Sequence, residues 1–250
     1  MKSQIKSLFF ILSGLLLFSA CDKDSKDGEV EIVFEHYFKE NAFRVDTTTV
    51  HQLDNGEELI FSRFQYYISN IAFQKEDGTW WEEPESYHIV NARQDKPSIK
   101  IKPVKEGSYS AIRYIIGVDS IRNFSGAQEG ALSPSNEMFW SWNTGYIFLM
   151  SEGICLQRPQ ENQGFIHHVG GFQGANKAIQ QNSHAFGNDL VSRGDLKSKV
   201  TLRVDVHKLY EGPGINLSIV DLPAAHSISE NTRRLSENYA NMISSPVVSN

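Results

Sequence analysis

The feature that most limits the fold is a two-residue rhythm of apolar side chains, recurring along the chain with little amphipathic helix between its repeats. In residues 28–38, Val30, Ile32, Phe34 and His36 lie on one side, and Glu29, Glu31, Val33 and Glu35 on the other. Residues two apart on an extended backbone face the same way, so this segment predicts a strand with one buried face and His36 on the core side. Residues 199–207 repeat the pattern. Val200, Leu202, Val204 and Val206 alternate with Thr201, Arg203, Asp205 and His207, which sets His207 toward solvent and without functional consequence. Between these two lie 59–74, one strand or two meeting near Ser69-Asn70, then 87–91, 98–104 and 109–118. A further pair, 146–150 and 154–157, is expected around Glu152-Gly153. Asp77-Gly78 is hairpin chemistry ahead of Trp80 and Trp81, which point to opposite faces and are read as packing residues. Strands at this spacing, joined by turn residues, predict an all-β fold: an antiparallel β-sandwich with long loops. A short helix at 176–181 and a C-terminal helix over 229–243 complete it. In the latter, Ser227-Ile228-Ser229-Glu230 fits a capping box, and Leu235, Tyr239, Met242 and Ile243 form one stripe.

The N-terminus reads as an address. Lys2 and Lys6 precede an apolar run over 7–19, shorter than the about 20 residues a membrane-spanning helix needs. The run ends in Leu17-Phe18-Ser19-Ala20-Cys21, which resembles a bacterial lipobox. Residues 1–20 are thus a lipoprotein signal peptide, and cleavage leaves Cys21 as the lipidated N-terminus. Residues 21–28 are an acidic tether, too charged and too poor in apolar residues to fold. The tether also resembles the signals that send Bacteroidota lipoproteins to the outer face of the outer membrane. The chain is therefore expected to be an outer-membrane lipoprotein, periplasmic or surface-facing. Residues 29–250 form a single β-rich domain, with no internal repeat and no interdomain linker. The net charge of −6 and the lack of a Lys/Arg cluster argue against nucleic acid as a partner. Apart from Cys21, Cys155 is the chain's remaining cysteine. Neither an intramolecular disulfide nor a cysteine metal site is then available, and a hydrophobic core must carry the fold.

The stretch 117–153 is densest in residues that are awkward to place. A polar, Gly- and Ser-rich segment leads into Trp140 and Trp142, flanked by Phe139, Tyr146 and Phe148. Downstream, Phe165-Ile166-His167-His168-Val169-Gly170-Gly171 carries a histidine pair. Adjacent residues on a strand face opposite ways, so one imidazole of the pair looks into a given site. His168 is preferred as a metal ligand because the neighbouring glycines allow close approach of another segment. Hydrolytic chemistry has little to build on: there is no Gly-x-Ser-x-Gly elbow and no His-Glu-x-x-His helix, and the spacing of Glu129, Glu137 and Glu152 does not pair them for acid–base work. The chain is not expected to be an enzyme by itself. Trp140 and Trp142 can serve as packing, as a stacking platform or as redox-active rings.

The segment GVDSIRNFSGAQEGALSPSNEMFWSWNTGYIFLMSEG resembles the MbnP-like family of secreted copper-associated proteins, including its Bacteroidota lipoprotein members. FEHYF, FSRFQYYISNIAF, FIHHVGGF and ENYANMI stand in the family's order, from about Val30 to Ile243. The resemblance implies a β-rich envelope domain that binds copper. It also implies a di-haem, cytochrome c peroxidase-like partner that oxidises a tryptophan to kynurenine. The family's histidines fall on His36 and His168, and its W-x-W tryptophan on Trp140 or Trp142. The methane-oxidiser members carry extra cysteines that this chain lacks. The leading expectation is a lipid-anchored copper-binding protein with His36, His168 and Trp142 or Trp140 at the metal. The alternative is a metal-free surface interaction or ligand-binding module.

Overall fold

Strand β1 (Gly28–Phe38) buries Val30, Ile32 and Phe34 and leaves Glu29, Glu31 and Glu35 part-exposed, as its alternation requires. The computed structural model describes residues 26–126, 128–140 and 145–250, so Cys21 and Trp142 lie outside the described residues. After the two-residue strands β2 (Asn41–Ala42) and β3 (His51–Gln52) comes β4 (Glu58–Lys75), which is one strand. Asn70 takes a left-handed backbone (φ 53) and the pairing with a later strand shifts between Ser69 and Ala72, so the irregularity there is a bulge and not a chain reversal. β5 (Trp80–Glu82), β6 (Tyr87–Asn91), β7 (Ser98–Val104) and β8 (Gly107–Ile116) follow. Helix α1 (Ser120–Phe124), capped by the Asp119 side chain, opens the long connection. The connection closes with β9 (Phe139–Trp140), which folds back on β10 (Gly145–Cys155). The remaining elements are β11 (Gly164–Gly170), β12 (Gln180–Ser192), β13 (Lys197–Asp205), β14 (Ala224–Ala225), helix α2 (Glu230–Tyr239) and β15 (Ile243–Ser249).

The strands form two sheets. The smaller runs β15-β13-β1-β2, with β7 also on β1. The larger runs β12-β8-β4-β10-β11-β14, with β3, β5 and β6 also on β4 and β9 on β10. The core is rich in rings, with Phe34, Phe61, Phe64, Tyr66, Phe165 and Tyr210 all fully buried or nearly so. No helix among the described residues is long and apolar enough to cross a membrane.

The two-sheet fold with a C-terminal helix matches the sequence reading, and five details differ. First, β1 and β13 are parallel, with Ile32 opposite Val200 and His36 opposite Val204. Parallel neighbours need a long crossover, and here most of the large sheet lies within it. Second, residues 146–157 hold one strand, not a pair around Glu152-Gly153. Gly153 is needed because β4 comes so close that a β-carbon would collide with the Ile60 carbonyl. Third, residues 176–181 form no helix: 176–179 are a non-helical connection, held by Ala178 N–H donating to the Gly171 carbonyl (2.8 Å), and Gln180 already starts β12. Fourth, the capping box of α2 pairs Ser229 with Thr232, and Ile243 leaves the helix to lie opposite Val204 in β15. Fifth, β13 ends at Asp205. A single turn over Val206–Leu209 swings His207 inward, where it is half-buried 6.0 Å from the Phe38 ring and its Nδ1 accepts the Lys39 N–H at 3.2 Å. Trp80 and Trp81 behave as packing residues: Trp81 stacks on Phe73, and Arg113 lies 4.3 Å over the Trp80 ring.

Candidate functional site

Strand register decides which of the proposed ligands can meet. Residues directly opposite each other in a sheet share a face. Met150 is opposite both Gln65 and His168, while Ser151 is opposite both Phe64 and His167. Phe64 packs edge-on to His36 with ring centroids 6.3 Å apart, and Ser151 Oγ is 2.7 Å from the Tyr210 hydroxyl inside the core. Phe64, Ser151 and His167 therefore mark the inner face of the large sheet, toward β1 and His36. Met150, Gln65 and His168 mark the outer face. His36 and His168 thus stand on opposite sides of one sheet.

His36 sits at the edge of the inner layer, among Phe43, Phe64 and Tyr66. Its Nε2 is 3.1 Å from the Tyr66 hydroxyl, and burial pulls its pKa down to about 4, so it is neutral. His167 faces the same layer. Its Nε2–H donates to the Leu222 carbonyl at 2.9 Å, and burial lowers its pKa to about 4. The Nδ1 of His167 is buried with no hydrogen-bond partner. Sequence reasoning separated the faces of the histidine pair correctly but had no means of seeing that His167 is the member on the side of His36.

His168 has a different setting. Its Nε2–H donates to Glu152 Oε1 at 2.8 Å, which leaves Nδ1 as the lone-pair nitrogen of the neutral ring. Burial lowers its pKa, and the bonded carboxylate of Glu152 opposes that shift. Arg63 Nη1 reaches Glu152 at 3.9 Å, and its other Nη is ion-paired with Glu137, which pins the long connection across the outer face. Two positions along β11, Gly170 makes room for Trp140. A β-carbon on Gly170 would stand 2.8 Å from Cζ3 and 3.0 Å from Cη2 of that indole. Trp140 is itself buried, and β9 holds it opposite Gly145. The structure thus brings Trp140 and His168 onto one face and keeps His36 on the other.

Met150, Glu152 and Arg63 belong to this outer-face group and were missed as site residues. Glu152 and His168 are joined by the pairing of β10 with β11, which spacing along the chain does not disclose. Among the described residues there is no group of three His, Cys, Asp or Glu side chains arranged to hold a metal ion. His36 and His168 do not fit a shared ion in this geometry. The outer face offers one imidazole nitrogen, the Met150 thioether, which lies 3.9 Å from Gln65 Nε2, and an indole wall.

Comparison with known proteins bears on the fold. The model of the MbnP family matches residues 27–229. A solved structure, MbnP from Methylosinus trichosporium, superposes with a TM-score of 0.52 at 12% identity, covering 81% of this chain and 81% of that one. No curated protein matches the sequence significantly.

Proposed function

The chain belongs to the MbnP family, and on that premise we propose that it is an interaction or ligand-binding module of the cell envelope, working without a bound metal. Cys21 anchors it to the outer membrane, and its binding face is the outer side of the large sheet around His168 and Trp140. What carries this reading is the separation of His36 from His168 by the thickness of that sheet, which denies one ion both imidazoles. A face with one oriented imidazole, a carboxylate, a guanidinium and an aromatic wall suits a polar ligand with a flat apolar side. The test is a copper titration followed by tryptophan fluorescence and melting temperature. Both stay unchanged if the reading holds, and a saturable rise in melting temperature at one equivalent overturns it.

A second reading keeps copper, and one observation favours it. Glu152 fixes His168 in the tautomer that presents a free Nδ1, an arrangement common behind metal-bound histidines, and the soft Met150 sulfur shares its face. Under this reading His168 and Met150 hold the ion, Trp140 or Trp142 completes the site, and His36 only packs. A di-haem, cytochrome c peroxidase-like partner would then act on a tryptophan to form kynurenine. Copper stoichiometry that survives His36→Ala and is lost in His168→Ala supports this version. Intact mass of protein from its native host reports whether a tryptophan has been converted.

A further inference from the structure

A groove runs past helix α1 on both sides of Arg122. One stretch, about 730 Å³, lies among α1, β8 and the turn before β6; the other, about 510 Å³, lies between that turn and residues 128–132. Glu85, Tyr87 and Arg122 line both stretches, so the two adjoin across these three residues. Arg122 is ion-paired with Glu85 and holds its guanidinium 5.4 Å over the Tyr87 ring. At the lip, Ile121 is 78% exposed; Phe124, three residues on along the same helix, is 68% exposed and packs edge-on to Phe172 outside the groove lining. Large apolar side chains presented together beside a groove mark a surface that binds.

Charge selects the occupant. Five carboxylates line the groove, on Glu82, Glu83, Glu85, Asp119 and Glu129, against the guanidinium groups of Arg113 and Arg122. Glu82 and Glu85 each meet an arginine, yet their side chains stay 71% and 76% exposed. Such a field repels nucleic acid and anionic headgroups and attracts lysine and arginine. We propose that this groove docks a cationic, partly apolar polypeptide segment of a partner protein. Its lysines meet the carboxylates and its apolar side chains lie on Ile121 and Tyr87. An incoming cation takes the place of Arg122 at Glu85, and the two stretches become one. The surface shares no residue with the His168 face, so it stands independently of the function proposed above.

Fluorescence anisotropy tests it, with the full chain in detergent and a short labelled peptide of alternating lysine and leucine. A peptide of alternating glutamate and leucine serves for comparison. The lysine peptide is expected to bind saturably and to weaken between low and physiological salt. Glu85→Lys with Glu129→Lys is expected to weaken it about tenfold or more. Ile121→Ser weakens it with no change of charge. Glu40→Lys with Glu76→Lys, outside the groove and equal in charge change, leaves it intact. Equal binding of the two peptides, or equal loss in the two double variants, overturns the proposal.

Discussion

The indole of Trp140 occupies the space that a side chain on residue 170 would fill, with Cη2 3.0 Å from the position of a β-carbon there. The same β-carbon would stand 2.6 Å from the Tyr146 carbonyl oxygen. Gly170 is thus a seat for Trp140, and the Gly170-Gly171 pair serves packing before it serves flexibility. Gly170→Ala is expected to destabilise the chain by about 1–3 kcal/mol through overpacking. It also pushes Trp140 outward, which a red shift in tryptophan emission reports alongside urea denaturation. A variant as stable as the parent with unshifted emission contradicts the seat.

On the other side of the sheet, His36 and Tyr66 satisfy each other. Tyr66→Phe removes the hydroxyl from a buried pair and is expected to cost about 1 kcal/mol. Because His36 faces away from Trp140, the substitution leaves ligand or copper binding at the outer face unchanged. Isothermal titration on the variant checks this. A loss of binding equal to that in His168→Ala would mean the two histidines act together after all.

Glu57 is buried and accepts three hydrogen bonds from the 218–220 turn: Ser218 Oγ at 2.7 Å, Ile219 N–H at 2.7 Å and Val220 N–H at 3.3 Å. Glu57→Ala strands those donors and is expected to cost about 3 kcal/mol, the scale of losing charge-assisted bonds in a buried setting. Glu57→Gln keeps acceptor capacity and costs less. The urea midpoints of the three proteins should therefore fall in the order parent, Gln, Ala.

Acid sensitivity follows from the buried imidazoles. Burial holds His51 and His184 below the ordinary value of 6.5. Asp46 and the Arg44 carbonyl oppose the shift at His51; His184 lies 3.0 Å from the Tyr114 hydroxyl. The unfolded chain therefore takes up protons at these rings at a pH where the folded chain does not. The stability they confer is complete above 6.5 and is lost as pH falls through their lower folded values. Chemical denaturation should show a drop in stability between about pH 7.5 and about pH 5, smaller in a His51→Gln/His184→Gln double variant. An unchanged slope assigns the acid sensitivity to other groups.

How legible all this was depends on range. The alternation in β1 and β13 was visible because each strand buries one face, and burial writes itself into sequence at period two. The segment 176–181 looked helical because its residues allow a helix, and only pairing with β8 draws Gln180 and Gln181 into β12. Gly153 looked like a turn because glycine serves turns and close approaches alike, and the strand that crowds it is 93 residues away in sequence, at Ile60. The opposite facing of His167 and His168 was readable from adjacency. Which of them shares a side with His36 depends on how β4 and β10 register, through Phe64 and Ser151, and no local pattern holds that information. Met150 escaped notice because a methionine in an apolar strand reads as core until its cross-strand neighbour is known.

The parallel pairing of β1 with β13 also orders events in time. Ile32 waits for Val200 and His36 for Val204, so one side of β1 stays unpaired until β13 has been delivered. A chain that emerges N-terminus first, from a ribosome or through a membrane pore, has only β2 and β7 to pair with its first strand while most of the large sheet assembles. Closing so long a loop adds only a slowly growing entropic cost, so the delay falls on the rate of folding far more than on final stability. The topology works as a latch: the leading strand keeps its β13 side open until the trailing part of the chain arrives.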